Sequence, residues 1–170
     1  LKAEMLWPEV EKTLTKALSA LKQMRQSEGM VLEVDLLKRF EALRVVSRKI
    51  STLALKVPTQ YKKSLERRLK NLLASDVEVD RELIAREIAV FADRCDVSEE
   101  LTRLESHFEQ VFSTIDRGGA CGRRLDFICQ ELFREINTTG AKANNAKISE
   151  LVIDFKAGLE AAREQVQNIE

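Results

Sequence analysis

Apolar residues recur at helical spacing along almost the whole of this 170-residue chain, and this feature limits its fold more than any other. Only two prolines and six glycines interrupt the pattern. No stretch alternates apolar and polar residues in the way that a half-buried strand does. Charged residues make up 33% of the chain, as is typical of long amphipathic helices. The sequence therefore predicts an all-α protein, a helical bundle with a long helical arm and short connecting loops.

The first predicted helix begins near residue 4 and carries its apolar stripe through residue 24. Gly29 either ends this helix or only weakens it. Because the pattern resumes at Leu36, the sequence allows a single very long helix, which would need a partner along its length. Pro58 marks a break, after which a short basic helix leads to a turn near residues 75 and 76. Asp80 is placed to cap the next helix.

Three further helices are predicted, over residues 97–115, 123 to about 137, and 148 to about 169. The first two are separated by a loop with three glycines between residues 116 and 122. Glycines can cradle a phosphate, but this loop lacks the GK[ST] ending of a P-loop. We therefore interpret it as a flexible connector.

The charges divide unevenly between the two parts of the chain, although the formal net charge is zero. Residues 1–75 hold 16 Lys and Arg against 8 Asp and Glu, whereas residues 76–170 hold 12 against 20. We expect a basic helical arm or hairpin over residues 1–75 and an acidic helical bundle over residues 76–170. Residues 38–70, with 11 basic and 2 acidic side chains, can attract a phosphate backbone. Alternatively, this block pairs with the acidic part or simply faces solvent.

The three cysteines, Cys95, Cys121 and Cys129, are an odd number without the spacing of a zinc site. They are typical of reduced thiols used as small hydrophobic residues. The sequence has no signal peptide and no long apolar run. We expect a cytoplasmic protein that does not bind to a membrane.

The helix predicted from residue 123 carries more polar side chains than a structural helix requires. Asp126, Gln130 and Arg134 follow one another at i, i+4 and i+8 on one flank, and Glu131 and Glu135 lie at i, i+4 on another face. Two carboxylates one turn apart repel each other unless a cation lies between them, and such pairs can hold Mg²⁺ or Mn²⁺. Alternatively, Glu131 pairs with Arg134, or both glutamates face water.

His107 is the only histidine, and it shares a helix face with Arg103. It can serve as a general acid or base, as a metal ligand, or as an ordinary surface histidine. Because the connector after its helix is short, we expect the two helices to be antiparallel, with His107 near the Glu131 face. No GxSxG or HExxH motif and no informative Cys–His spacing is present, so covalent nucleophilic catalysis is unsupported.

Several segments together resemble the C-terminal part of the YicC/YloC family. They are GRRLDFICQELFREINTTGAKAN from residue 122, ADRCDVSEELTRLESHFEQ from residue 92, the ending EQVQNIE and MRQSEG over residues 24–29. The segments occur in the family's order, and the resemblance covers essentially the whole chain. The resemblance implies a C-terminal fragment of a longer bacterial endoribonuclease. It also implies dependence on a divalent metal, Mn²⁺ or Mg²⁺, and assembly into ring-like homo-oligomers, such as hexamers, that enclose RNA.

Carried over to this chain, the resemblance favours His107, Glu131 and Glu135 as metal ligands and catalytic residues. It implies that the RNA-binding residues are Arg25, Arg94, Arg103, Arg124, Gln130, Arg134 and Lys142. The expected reaction is metal-dependent cleavage of single-stranded RNA in bacterial RNA turnover.

Two other functions use the same sequence features. An RNA-binding adaptor that delivers transcripts to another nuclease would share the basic surface but need no metal. A structural oligomerisation module would use its charges to set contacts between subunits and would have no affinity for RNA.

Overall fold

The computed structural model describes residues 3–72 and 80–169, and in these residues the secondary structure is helical, which confirms the all-α prediction. Six helices follow one another along this part of the chain. They are α1 (Ala3–Ala54), α2 (Val57–Leu72), α3 (Arg81–Arg94), α4 (Ser98–Arg117), α5 (Gly122–Lys142) and α6 (Ala146–Val166). The predicted turn near residues 75 and 76 lies outside the described residues.

Four helices form a bundle around one apolar core. The C-terminal half of α1 packs against α4 and α6, and α5 closes the bundle by packing against the same two helices. Short loops join α4 to α5 and α5 to α6, so neighbouring helices are antiparallel. Phe40, Phe108 and Phe155 are completely buried, and the rings of Phe108 and Phe155 meet edge to face with centroids 6.1 Å apart. This bundle is the rigid frame that holds the polar side chains described below.

Helix α1 is the single very long helix that the sequence allowed, since it continues through Gly29 without a break. At about 1.5 Å per residue its 52 residues span about 78 Å. Its C-terminal half contributes buried side chains such as Leu36, Phe40 and Ile50 to the core. Residues 6–24 of its N-terminal half are exposed, and one face of this segment carries an apolar series of Leu6, Trp7, Val10, Leu14, Leu18, Leu21 and Met24. We call this series the α1 stripe.

The buried core crosses the division that the charges predict between residues 75 and 76. Leu36, Phe40, Leu43 and Ile50 of α1 belong to the same cluster of buried residues as the apolar side chains of α4, α5 and α6. The methyl group Cδ2 of Leu43 lies against Gly158 of α6. The basic part of the chain therefore supplies one wall of the bundle as well as an arm.

Helices α2 and α3 lie between α1 and α4 in the sequence and pack against each other as a hairpin. They also contact the core, since Val57 of α2 is buried in it and Phe91 of α3 packs against it. The rings of Tyr61 and Phe91 stack between the two helices with centroids 3.6 Å apart. Asp80 caps α3 as the sequence predicts, because its carboxylate accepts hydrogen bonds from the backbone N–H groups of Glu82 and Leu83. The exposed side of α2 carries most of the basic residues of this hairpin.

Helix α5 is longer than the sequence predicts. The apolar stripe weakens after Ile136, but the helix continues to Lys142. Thr139 is buried at the next inward position, where its hydroxyl donates a hydrogen bond to the carbonyl oxygen of Glu135. Lys142 therefore lies on the same helix as Glu131 and Glu135. At the other end, Gly122 starts α5 where a Cβ atom would collide with the carbonyl oxygen of Ile169.

None of the helices within residues 3–72 and 80–169 combines the length and the apolar character that crossing a membrane requires.

Candidate metal centre

A polar seam runs between α4 and α5 on the side where these two helices face each other. The loop between them holds Gly118 and Gly119, whose φ angles of 64° and 80° favour glycine and let the chain reverse within a few residues. In the antiparallel register, Glu100 meets Lys142 and Arg103 meets Glu135. His107 follows one turn after Arg103 on α4, and Glu131 precedes Glu135 by one turn on α5.

His107, Glu131 and Glu135 form the centre of this seam. One ligand atom from each side chain lies within 4.8 Å of the others, a separation that a single bound cation can bridge. Glu135 is 4% exposed, while His107 and Glu131 are partly exposed. The short antiparallel hairpin therefore brings together the three residues that the sequence predicts as metal ligands.

The ring nitrogen Nδ1 of His107 supports this interpretation. It is buried and has no hydrogen-bond partner among the described residues. A buried polar atom without a partner costs about 1–3 kcal/mol, so such atoms are rare in native structures unless an ion or water serves them. One imidazole nitrogen and two carboxylates are a donor set that suits first-row divalent cations such as Mn²⁺. The residues present thus fit a divalent cation.

Arg103 and Glu99 fix the position of the buried carboxylate. The guanidinium Nη1 of Arg103 lies 3.4 Å from Oε1 of Glu135, and its Nη2 donates a hydrogen bond to Glu99 one turn earlier on α4. These bonds raise the pKa of Arg103, first through the hydrogen bond to Glu135. Arg103 therefore stays charged and holds the carboxylate of Glu135 in place.

Glu100 and Lys142 form the next pair along the seam. Nζ of Lys142 donates a hydrogen bond of 2.6 Å to Oε1 of Glu100, and this bond raises the pKa of Lys142. Glu100 is 6% exposed, and its second oxygen, Oε2, is buried with no partner among the described residues. The pair leaves one carboxylate oxygen available within the seam.

The predicted RNA-binding residues do not all lie at this centre. Arg103 and Lys142 are in the seam, where both are engaged in ion pairs. Arg124 is exposed on α5, on the same helix face as Glu131 and seven residues before it. Arg94 is exposed in the last turn of α3, outside the seam. Arg25 lines a cavity beside Gly118, Cys121 and Asn168, at the end of the bundle where α4 and α5 are connected.

Gln130 and Arg134 lie on a different flank of α5 from Glu135. The amide of Gln130 donates to Asp126, and Asp126 also accepts a hydrogen bond of 2.7 Å from Nε of Arg163 on α6. These contacts lower the pKa of Asp126, with the Arg163 hydrogen bond as the main cause. Asp126 and Gln130 therefore link α5 to α6, and this structural contact explains part of the polarity of α5.

Glu100 lies in the seam but is not among the site residues that the sequence predicts. Its spacing of three and seven residues from Arg103 and His107 places it on the same face of α4, which is a detectable signal. Its burial and its pairing with Lys142 depend on the register between α4 and α5. A single sequence does not give that register.

Known proteins are similar to this chain over most of its length. A family model described as "Endoribonuclease YicC-like, C-terminal" matches residues 50–170. The chain is 35% identical over 167 residues to a protein of Clostridioides difficile named "Probable endoribonuclease YicC", covering 98% of this chain and 57% of that protein. A protein of the same name from Haemophilus influenzae is 35% identical over 147 residues, covering 86% of this chain and 50% of that protein. The chain thus spans about half the length of the curated relatives it matches.

Proposed function

The chain belongs to the family of YicC-like endoribonucleases, and from this premise we propose that it contributes a metal-dependent centre for the cleavage of single-stranded RNA. The observation that carries the proposal is the cluster of His107, Glu131 and Glu135, with its unpartnered histidine nitrogen. The proposed reaction is hydrolysis of a phosphodiester bond, in the turnover of bacterial RNA.

His107, Glu131 and Glu135 would hold the cation, which we propose to be Mn²⁺, with Mg²⁺ as the alternative. A divalent cation supplies positive charge for the phosphate and lowers the pKa of a coordinated water. Glu131 is more exposed than Glu135, so it is better placed to accept a proton from an attacking water. Glu135 is held by Arg103 and acts as a fixed ligand.

The cationic side chains around the cluster would position the RNA backbone. The side chain of Arg103 is about half exposed although it contacts Glu135, so its remaining N–H groups can donate to a phosphate oxygen. Arg124 presents a second guanidinium on the same face of α5. Two guanidinium groups on either side of the cluster suit an extended strand that crosses the seam.

The basic hairpin would add affinity that does not depend on sequence. Helix α2 carries five exposed basic side chains, which are those of Lys62, Lys63, Arg67, Arg68 and Lys70. Glu66 is the one acidic residue of this helix. Such a surface attracts phosphates by releasing counterions, so the affinity should fall steeply as the salt concentration rises.

We also propose that the chain forms homo-oligomers. The α1 stripe exposes seven large apolar side chains on one face of the N-terminal half of a single helix, which is more than an isolated helix normally leaves in water. A second copy of the chain would cover this surface. The hexamer that the resemblance implies stays a prediction, which sedimentation velocity measures directly.

The three thiols fit the cytoplasmic location that we propose. Cys95, Cys121 and Cys129 are all free. Burial raises the pKa of Cys129 to about 12, so this thiol is not a nucleophile near neutral pH.

Cleavage of a labelled single-stranded RNA tests the proposed function. The purified chain should cut the RNA with Mn²⁺ and stop when EDTA is added. Glu131→Gln should lower the rate by on the order of 100-fold or more, because it removes a ligand charge and the proton acceptor. Glu150→Gln, a matched change at an exposed position on α6, should leave the rate unchanged.

Equal rates in the wild type and Glu131→Gln would contradict the assignment. RNA that is bound tightly by the wild type but not cut, with or without Mn²⁺, would favour the adaptor function instead. A stable oligomer without affinity for RNA at low salt would favour the structural module.

A further inference from the structure

Phe127 is exposed although the other phenylalanines of the chain are not. Of seven phenylalanines, Phe40, Phe108 and Phe155 are fully buried, and Phe91, Phe112 and Phe133 pack against the core. The side chain of Phe127 is 62% exposed on α5. A ring that is 62% exposed forgoes much of the burial energy that it could gain, and packing in the core does not explain its position.

The surroundings of Phe127 on α5 are polar. Its neighbours at three and four residues in either direction are Arg123, Arg124, Gln130 and Glu131. A contact between protein surfaces usually uses a continuous apolar patch of several hundred Å². A single flat ring among guanidinium, amide and carboxylate groups is instead typical of surfaces on which a nucleobase stacks.

Phe127 also lies next to the candidate metal centre. It precedes Glu131 by one turn, which is about 6 Å along the helix axis. The pairs Glu100–Lys142 and Arg103–Glu135 fix the antiparallel register of the seam. Continued in that register past His107, the seam brings Phe127 opposite residues near 113 of α4. Phe127 is therefore an exposed aromatic ring one helical turn from Glu131 of the cluster.

We propose that Phe127 stacks on an RNA base adjacent to the phosphate that is cleaved, and thereby places that phosphate at the cluster. The inference rests on the proposed function and adds a substrate-positioning residue to it. The ring of phenylalanine cannot form the hydrogen bonds that read base edges, so it accepts any base. It requires the base to be unstacked from its neighbours, so the substrate must be single-stranded at this point.

Binding of a fluorescently labelled single-stranded RNA in EDTA tests this inference without cleavage. Phe127→Ala should weaken binding roughly 5- to 150-fold, as expected from the about 1–3 kcal/mol that stacking of one base contributes. Phe127→Trp keeps an aromatic face and should bind as well as the wild type. Ile153→Ala removes a side chain of similar exposure from α6 and should not change binding.

An RNA series with one abasic position, moved along the strand, separates stacking from a general loss of affinity. The wild type should lose affinity when one particular base is missing, and Phe127→Ala should be insensitive to that position. Equal RNA binding by the wild type and Phe127→Ala would overturn the inference and leave the proposed function standing. Absence of RNA binding by the wild type would overturn both. A change in sedimentation of Phe127→Ala, with unaltered base dependence, would assign the ring to a subunit contact and overturn the inference.

Discussion

Buried carboxylates are the residues that set the chemistry of the seam. Glu100 and Glu135 are removed from water, which is costly for a charged group unless a partner compensates it. Lys142 and Arg103 supply those partners, each from the facing helix. A hydrophobic pair of similar volume would stabilise a bundle as well or better, so stability alone does not explain these buried charges.

Asp126 gives a pH-dependent contribution to stability that is separate from the cluster. The hydrogen bond from Arg163 lowers its pKa in the folded state below the unfolded value of about 3.9. A group with a lowered folded pKa stabilises the fold above its unfolded pKa, and this contribution is lost as the pH falls through the folded pKa. Because both side chains are about one third exposed, we expect less than about 1 kcal/mol.

We therefore predict that Asp126→Asn lowers the free energy of unfolding at neutral pH by this small amount. The difference from the wild type should stay constant down to about pH 5 and shrink as the pH falls below about 4. Urea unfolding at a series of pH values measures it, with Glu150→Gln as the control on an exposed carboxylate. A difference that grows toward acidic pH would show that the carboxylate is not stabilised by Arg163.

The sequence predicts His107, Glu131 and Glu135 as candidate ligands, but it does not assign the other polar residues of α5. Glu131 and Gln130 are adjacent in sequence, yet Gln130 is linked through Asp126 to Arg163 on α6. Whether a polar side chain faces α4 or α6 depends on helix rotation and register. Several rotations satisfy an apolar stripe equally well, so a single sequence leaves them undecided.

Helix α1 is the element whose two halves behave differently. Leu36, Phe40 and Ile50 are buried in the bundle, whereas the side chains of the α1 stripe are exposed. The sequence shows the same apolar spacing in both halves, so it predicts the helix well. It does not reveal which half meets α4 and α6, because the pattern is the same whether the partner belongs to the same chain or to another.

We predict that truncating Phe40 destabilises the distant helix α6 as well as α1. Phe40→Ala removes a fully buried ring and should cost about 3–5 kcal/mol. Because α1 and α6 share one core, hydrogen exchange of the protected α6 amides should speed up correspondingly. Val45→Ala, at an exposed position of the same helix, should have little effect. Unchanged exchange in α6 of Phe40→Ala would show that α1 and α6 are separate folding units.

For the whole molecule, the charge asymmetry and the core divide the chain in different places. The charges change sign near residue 75, but the core joins α1 to α4, α5 and α6. Charge patterns describe the surface and hence the partners of a protein, whereas the apolar contacts decide which helices fold together. The basic α2–α3 hairpin and the bundle that holds the cluster are therefore two parts of one RNA-facing molecule in the function we propose.

Calorimetric titration with Mn²⁺ tests whether His107, Glu131 and Glu135 hold a divalent cation, as we propose. We predict one tight site per chain in the wild type and in Glu150→Gln. His107→Ala and Glu131→Gln should each weaken that site by at least about tenfold, since each removes one of three protein ligands. Circular dichroism checks that the variants keep their helical content. Tight Mn²⁺ binding that is unchanged in both variants, or the absence of a tight site in the wild type, would contradict the proposed metal site.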